Sequence, residues 1–223
     1  MRANHILALL FTCSTSSVLA SEAYISLGAS QSVYETDATS GGRMTSLLFA
    51  VESENAAGQF HRLNLQGALA AESSPGSGDD EYLSIEYGIG KYWYPRASAQ
   101  DYSIWAGLGQ WSMKDAIGTS GGVERKSRAL YFPVGFEAAI PVTSSSTYFV
   151  YGGSVHLVID GTIETPSATI SNKGGYGYSG WLGFDFRWSD TTMIETRLNL
   201  TKRTIDEGDF ELTDNNLSLS VRF

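Results

Sequence analysis

Cysteine occurs once in the 223 residues, at Cys13, and histidine three times, at His5, His61 and His156. A single cysteine excludes a disulfide scaffold, and so few histidines leave little for a metal centre. No stretch approaches the ~18 consecutive apolar residues of a membrane-crossing helix. Cations are in deficit, Lys+Arg 15 against Asp+Glu 24. That balance argues against nucleic acid as a partner, because phosphate backbones select basic surfaces. Proline is sparse at 5, whereas Gly 24, Tyr 12 and Trp 5 make a mixture better suited to strands and turns than to helices. No cofactor is expected: Gly88-Ile89-Gly90-Lys91 lacks both the spacing and the following helix of a phosphate loop.

The first residues, MRANHILALLFTCSTSSVLA, carry an early cation, a short apolar run from Ile6 to Phe11 and then small residues. Val18 and Ala20 stand at −3 and −1 of a signal-peptidase cut before Ser21, so residues 1–20 are expected to be a cleaved signal peptide. A lipoprotein anchor at Cys13 is the alternative, with Phe11 and Thr12 poor residues to precede it. Cleavage removes Arg2, no acid and the only cysteine. Residues 21–223 are then expected to form one domain.

Period-2 alternation recurs along that domain in about ten segments, with eight strands as the alternative count. YLSIEYGIGKYW sets Leu83, Ile85, Tyr87 and Ile89 against Ser84, Glu86, Gly88 and Gly90. HRLNLQGALA sets Leu63, Leu65 and Leu69 against Arg62, Asn64 and Gln66, and DYSIWAGLG aligns Tyr102, Ile104, Ala106 and Leu108. The final segment, NNLSLSVRF, alternates up to the last residue: Leu217, Leu219, Val221 and Phe223 share one face, Ser218, Ser220 and Arg222 the other. Links after the even segments are short (ENAAGQ, SDTT). Those after the odd ones are long (QSVYETDATSGGR, QWSMKDAIGTSGGVERKS). Short turns at one end and long loops at the other characterise transmembrane barrels.

The polar face decides the solvent. Across segments it gathers Arg62, Glu86, Glu137, Asp185, Arg187, Glu195, Arg197 and Arg222, acids balanced by arginine with almost no lysine. Arginine pairs with carboxylates in planar, bidentate fashion, as a confined interior requires. On the apolar face no charge stands at mid-depth, where one would cost ~2–4 kcal/mol in hydrocarbon. Lys91 lies near a strand end, within reach of headgroups. Aromatics gather at the face's ends, Tyr87, Trp93, Tyr102, Phe186, Trp188 and Phe223 at one rim, Tyr176 and Tyr178 at the other. The fold class expected is therefore all-β: an antiparallel up-and-down transmembrane β-barrel. A soluble periplasmic ligand-binding barrel, with its apolar face inward, is the competing solution.

The last residues resemble the C-terminal signal that small bacterial outer-membrane β-barrel proteins present to their insertion machinery. Asn216, Leu217, Leu219, Val221 and Phe223 carry the match; Ser218 stands where glycine is usual, and Val221 is not aromatic. The resemblance implies location in the bacterial outer membrane, with the insertion machinery and outer-membrane lipids, lipopolysaccharide included, as partners. The resemblance does not carry a function; the role expected from the lumen charges is structural or interactive, or a narrow passive pore with a salt-bridged lumen. No catalytic residue is assigned. Ser154 and His156, two apart on one face with Asp160 beyond, offer an alternative lipid hydrolase, though outer-membrane lipid A deacylases carry the pair in reverse order and facing lipid. An omptin-like protease would need Asp79, Asp80, Asp160 and His156 together at the outer rim of a taller barrel.

Overall fold

The computed structural model describes residues 22–36, 40–74, 80–93, 100–117, 123–142, 146–205 and 210–223. The expected signal peptide, Cys13 and Asp79 lie outside them. Ten strands follow in chain order: β1 Glu22–Thr36, β2 Ser40–Glu54, β3 Gln59–Ser74, β4 Glu81–Trp93, β5 Asp101–Ile117, β6 Val123–Pro141, β7 Thr147–Thr165, β8 Ala168–Arg187, β9 Met193–Ile205 and β10 Phe210–Arg222. Each pairs antiparallel with its chain neighbours, and β1 pairs with β10 to close the barrel. Closure reaches the final residue: Ile25 N donates to Phe223 O at 3.1 Å, and Phe223 N to Ile25 O at 2.9 Å. This is the ten-strand up-and-down barrel expected from alternation.

The orientation of the faces excludes the soluble alternative. Ile25, Leu27, Leu63, Leu83, Ile104, Phe136, Leu157, Phe184, Leu198 and Leu219 point outward around the terminal half of the barrel, most of them about half exposed. Ser26, Glu52, Arg62, Glu86, Glu137 and Arg197 line the inside. An apolar belt outside a polar lumen is the arrangement hydrocarbon demands.

The long links are a correction. A tilted strand crosses hydrocarbon in about 9–11 residues, yet these strands run from 13 residues in β4 to 20 in β8. Most of what looked like loop is strand. Gln31–Thr36 continues β1, Trp111–Ile117 continues β5, and β7 turns into β8 through a tight hairpin between Thr165 and Ala168. The barrel is consequently tall and projects beyond its apolar belt at the end opposite the termini.

In that projection the inside becomes apolar. Trp111, Met113, Tyr131, Ile205, Phe210 and Leu212 form one buried cluster with Tyr34, Met44, Tyr82 and Ile163. Trp111 stacks on Phe210 with ring centroids 5.4 Å apart. Inward glycines make room for rings: a Cβ at Gly109 would collide with the Tyr131 ring, and one at Gly135 with Trp105. Gly90 likewise lies against the Phe60 ring and Gly88 against Trp105, which accounts for the glycines of the Gly88–Lys91 stretch. At the terminal end the Asn55–Gln59 turn needs Gly58, whose φ is +75° and whose carbonyl accepts from Tyr92 N at 2.7 Å.

Candidate functional site: a polar lumen beneath an apolar plug

The terminal half of the lumen holds a cavity of about 360 Å³. At its mouth the central group is Glu52, which alternation along β2 turns inward beside Ser46, Leu48 and Ala50. Arg62 Nε donates to Glu52 Oε2 at 2.5 Å, Tyr92 O–H donates to Oε1 at 3.0 Å, and Arg222 Nη2 reaches the same oxygen at 3.2 Å. Arg222 also lies 3.9 Å from Glu195 and over the ring of Tyr24 at 3.9 Å. Because Glu52 is on β2 and Arg222 on β10, these bonds bridge the β1–β10 closure from inside. The Glu52 side chain is 6% exposed and each guanidinium-bearing side chain about a fifth, so the pairs are partly hydrated.

Deeper in the lumen, Arg197 pairs with Asp185, and Trp181 Nε1 donates to Glu137 Oε2 at 2.9 Å. At the roof Tyr131 O–H donates to Glu86 Oε2 at 2.8 Å, and Arg203 Nη1 to Tyr82 OH at 2.8 Å. The expected salt bridges thus form separate clusters around one space. Arg187 is not among them: it is exposed at the end of β8 rather than inside the cavity. Glu52, Arg203 and Asp214 belong to the lining but were not singled out from the sequence. Parity along β2 marked Glu52, whereas Arg203 and Asp214 lay in a stretch taken for loop.

Above the roof a further ion pair is almost dry. Arg125 Nε and Nη2 donate to Asp115 Oδ1 and Oδ2 at 3.0 and 2.5 Å, Thr36 Oγ1 donates to Oδ2 at 2.9 Å, and the guanidinium lies 4.8 Å from the Phe210 ring centroid. Such a bidentate, fully bonded geometry is what a buried pair needs to offset desolvation.

Ser154 and His156 do meet inside the lumen, Oγ and Nε2 being 2.8 Å apart, with His156 stacked on Tyr131. The third member is missing. A register shift between Val158 and Gly161 turns Asp160 to the exposed exterior, and His156 Nδ1 has no partner among the described residues. Among the described residues the protease set does not assemble either: Asp80 is buried and accepts from Tyr34 O–H, Asp160 is outside, and His156 is deep in the lumen. The residues of the terminal signal occupy both faces. Asn216 faces inward and donates to Asp214 at 3.1 Å, while Leu217, Leu219, Val221 and Phe223 line the exterior.

No family model matches the chain, and no curated protein matches it in sequence. Solved structures do. The outer-membrane protease OmpT of Escherichia coli superposes with a TM-score of 0.60 at 11% identity, over 94% of this chain and 99% of that one. The fold is that of a bacterial outer-membrane β-barrel. The translocator domain of the autotransporter NalP of Neisseria meningitidis is similar too, with a TM-score of 0.56 at 9% identity over 99% of this chain and 94% of that one.

Proposed function

We propose that the chain is an integral outer-membrane protein whose lumen is closed to passage and whose role is structural or interactive rather than catalytic. The observation that carries this is the plug: Trp111, Tyr131, Met113, Ile205, Phe210 and Leu212 fill the projecting lumen, and the dry Arg125–Asp115 pair lies among them. A barrel of this size has an interior little wider than its own side chains can fill, so no aqueous path survives through a packed aromatic layer. Catalysis is disfavoured because Ser154 and His156 lack an orienting carboxylate and sit below the plug. The OmpT likeness brings no protease reading, because Asp80, Asp160 and His156 do not converge. The terminal pattern Asn216–Phe223 fits recognition by insertion machinery, and Lys126 and Arg128 on the exterior of β6 would meet lipopolysaccharide phosphates.

Planar-bilayer recording tests closure. The purified protein is expected to give no steady conductance. Sustained openings on a nanosiemens scale, as a wide aqueous lumen produces, would refute the plugged barrel. In parallel, the lipid A and phospholipid profiles of membranes carrying His156→Ala are expected to match those of the unaltered protein. A difference would reinstate the hydrolase.

A further inference from the structure

His61 is a polar residue in an apolar place. Alternation along β3 puts it on the exterior with Leu63, Leu65 and Leu69, away from lumen-facing Arg62 and Asn64. Directly across on β4 stands Ile89, with Tyr87 above it and Lys91 below on the same outer face. His61 Nδ1 lies 2.7 Å from Tyr87 OH. In the tautomer that carries the proton on Nε2, the tyrosine O–H donates to Nδ1 and Nε2–H is left to donate outward. Among the described residues Nε2 has no protein partner, and neither does the exposed Lys91 ammonium.

Height fixes the surroundings of this patch. His61 is two residues past the Asn55–Gln59 turn, and Lys91 two residues before the end of β4 at Trp93. Both stand at the terminal edge of the apolar belt, where the aromatic rings of Trp93 and Tyr102 also lie exposed. On the membrane-spanning reading, on which this inference rests, that edge is level with the headgroups of the periplasmic leaflet. The exterior positions around it on β2, β4 and β5 are Val51, Ser53, Ile89, Trp93, Tyr102 and Ile104, with no carboxylate among them. An imidazole N–H donor and a cation without a competing acid complement one chemical group in that layer, a phosphate diester.

We propose that Lys91 and His61, with Tyr87 holding the imidazole in its donor tautomer, bind the phosphate of a glycerophospholipid in the periplasmic leaflet. The ammonium supplies charge and Nε2–H supplies direction, while the acyl chains lie along the belt formed by Leu63, Leu65 and Ile89.

Native mass spectrometry of the detergent-purified protein titrated with phosphatidylglycerol tests this. Lys91→Ala and His61→Ala are each expected to lower retained lipid about tenfold, the worth of one charge-assisted hydrogen bond. Tyr87→Phe should lower it less, Lys91→Arg should preserve it, and Lys126→Ala, on the opposite rim, should leave it unchanged. Inorganic phosphate at the same concentration should not displace the lipid. Equal retention by His61→Ala and the unaltered protein overturns the proposal, as does displacement by inorganic phosphate or an equal loss in Lys126→Ala. Heat-modifiable gel mobility of each variant in vesicles reports insertion separately. Failure to insert would strike the membrane-spanning reading, whereas insertion with unaltered lipid binding would strike this site alone.

Discussion

The two halves of the barrel are built from the same ten strands but have opposite interiors. Along β10 the inward residues run Phe210, Leu212, then Asp214, Asn216, Ser218, Ser220 and Arg222. The outward ones run Glu211, Thr213, Asn215, then Leu217, Leu219, Val221 and Phe223. β5 repeats the exchange, with Tyr102, Ile104, Ala106 and Leu108 outside giving way to Gln110, Ser112 and Lys114, while Trp111 and Met113 take over inside. Each half places apolar atoms where water is not. Where the outside is hydrocarbon, the inside need not be a dry core: apart from rings such as Phe60 and Trp105, polar groups satisfy one another around a hydrated cavity. Where the outside is water, the barrel needs an ordinary dry core. The inversion therefore marks the height at which the strands leave the membrane.

The comparison breaks most readily at its aromatic residues. Trp111 is 1% exposed within the dry plug, and Trp111→Ala should destabilise by about 3–5 kcal/mol, the loss of a large core side chain into a cavity water does not refill. Trp181 lines the polar cavity and bonds Glu137. Water can occupy the space it leaves, so Trp181→Ala should cost less than half as much. Urea unfolding of both variants in lipid vesicles measures the difference. Equal losses would show that the two interiors are alike.

A charge moved along the exterior gives a smaller effect with a clearer sign. Leu198 is 52% exposed, and its cross-strand neighbours Leu182 and Leu217 lie on the same belt. Leu198→Arg should cost about 2–4 kcal/mol, the price of arginine near mid-bilayer. Thr213→Arg, on the exterior of the projection, should change stability by no more than about 0.5 kcal/mol. If both were neutral in vesicles, the belt would not be facing hydrocarbon.

The lower half was legible in sequence because one pattern dominates there: an aliphatic or aromatic residue at most second positions, with Gly, Ser, Asn or a charged residue between. Arg62, Glu86, Glu137, Asp185, Glu195, Arg197 and Arg222 could be placed on the inner face from parity alone, and Glu52 could have been by the same count. The upper half was hidden by the inversion itself. Gln110-Trp111-Ser112-Met113-Lys114 keeps the parity of the segment before it, but the apolar residues change side, and the charges and glycines that follow as far as Arg128 give the stretch the look of a loop. Continuing the count past Leu108 would have exposed it. The outward turn of Asp160 had no such signal, for it depends on the register shift between Val158 and Gly161, which no residue type in that stretch demands.

The smallest effect is expected where the projecting exterior carries its ion pairs. Lys114 Nζ lies 3.8 Å from Glu81 and 3.3 Å from Glu124, but the three side chains are 30%, 71% and 59% exposed. Their mutual attraction is screened by the solvent that the inversion implies, and ordering three long side chains costs entropy that offsets most of the gain. Lys114→Ala should therefore shift stability by less than about 0.5 kcal/mol, and any shift should fade as salt is raised toward 1 M. A loss several times larger, or one indifferent to salt, would mean that this surface is shielded from water, and the height assigned to the membrane boundary would have to move outward past Lys114.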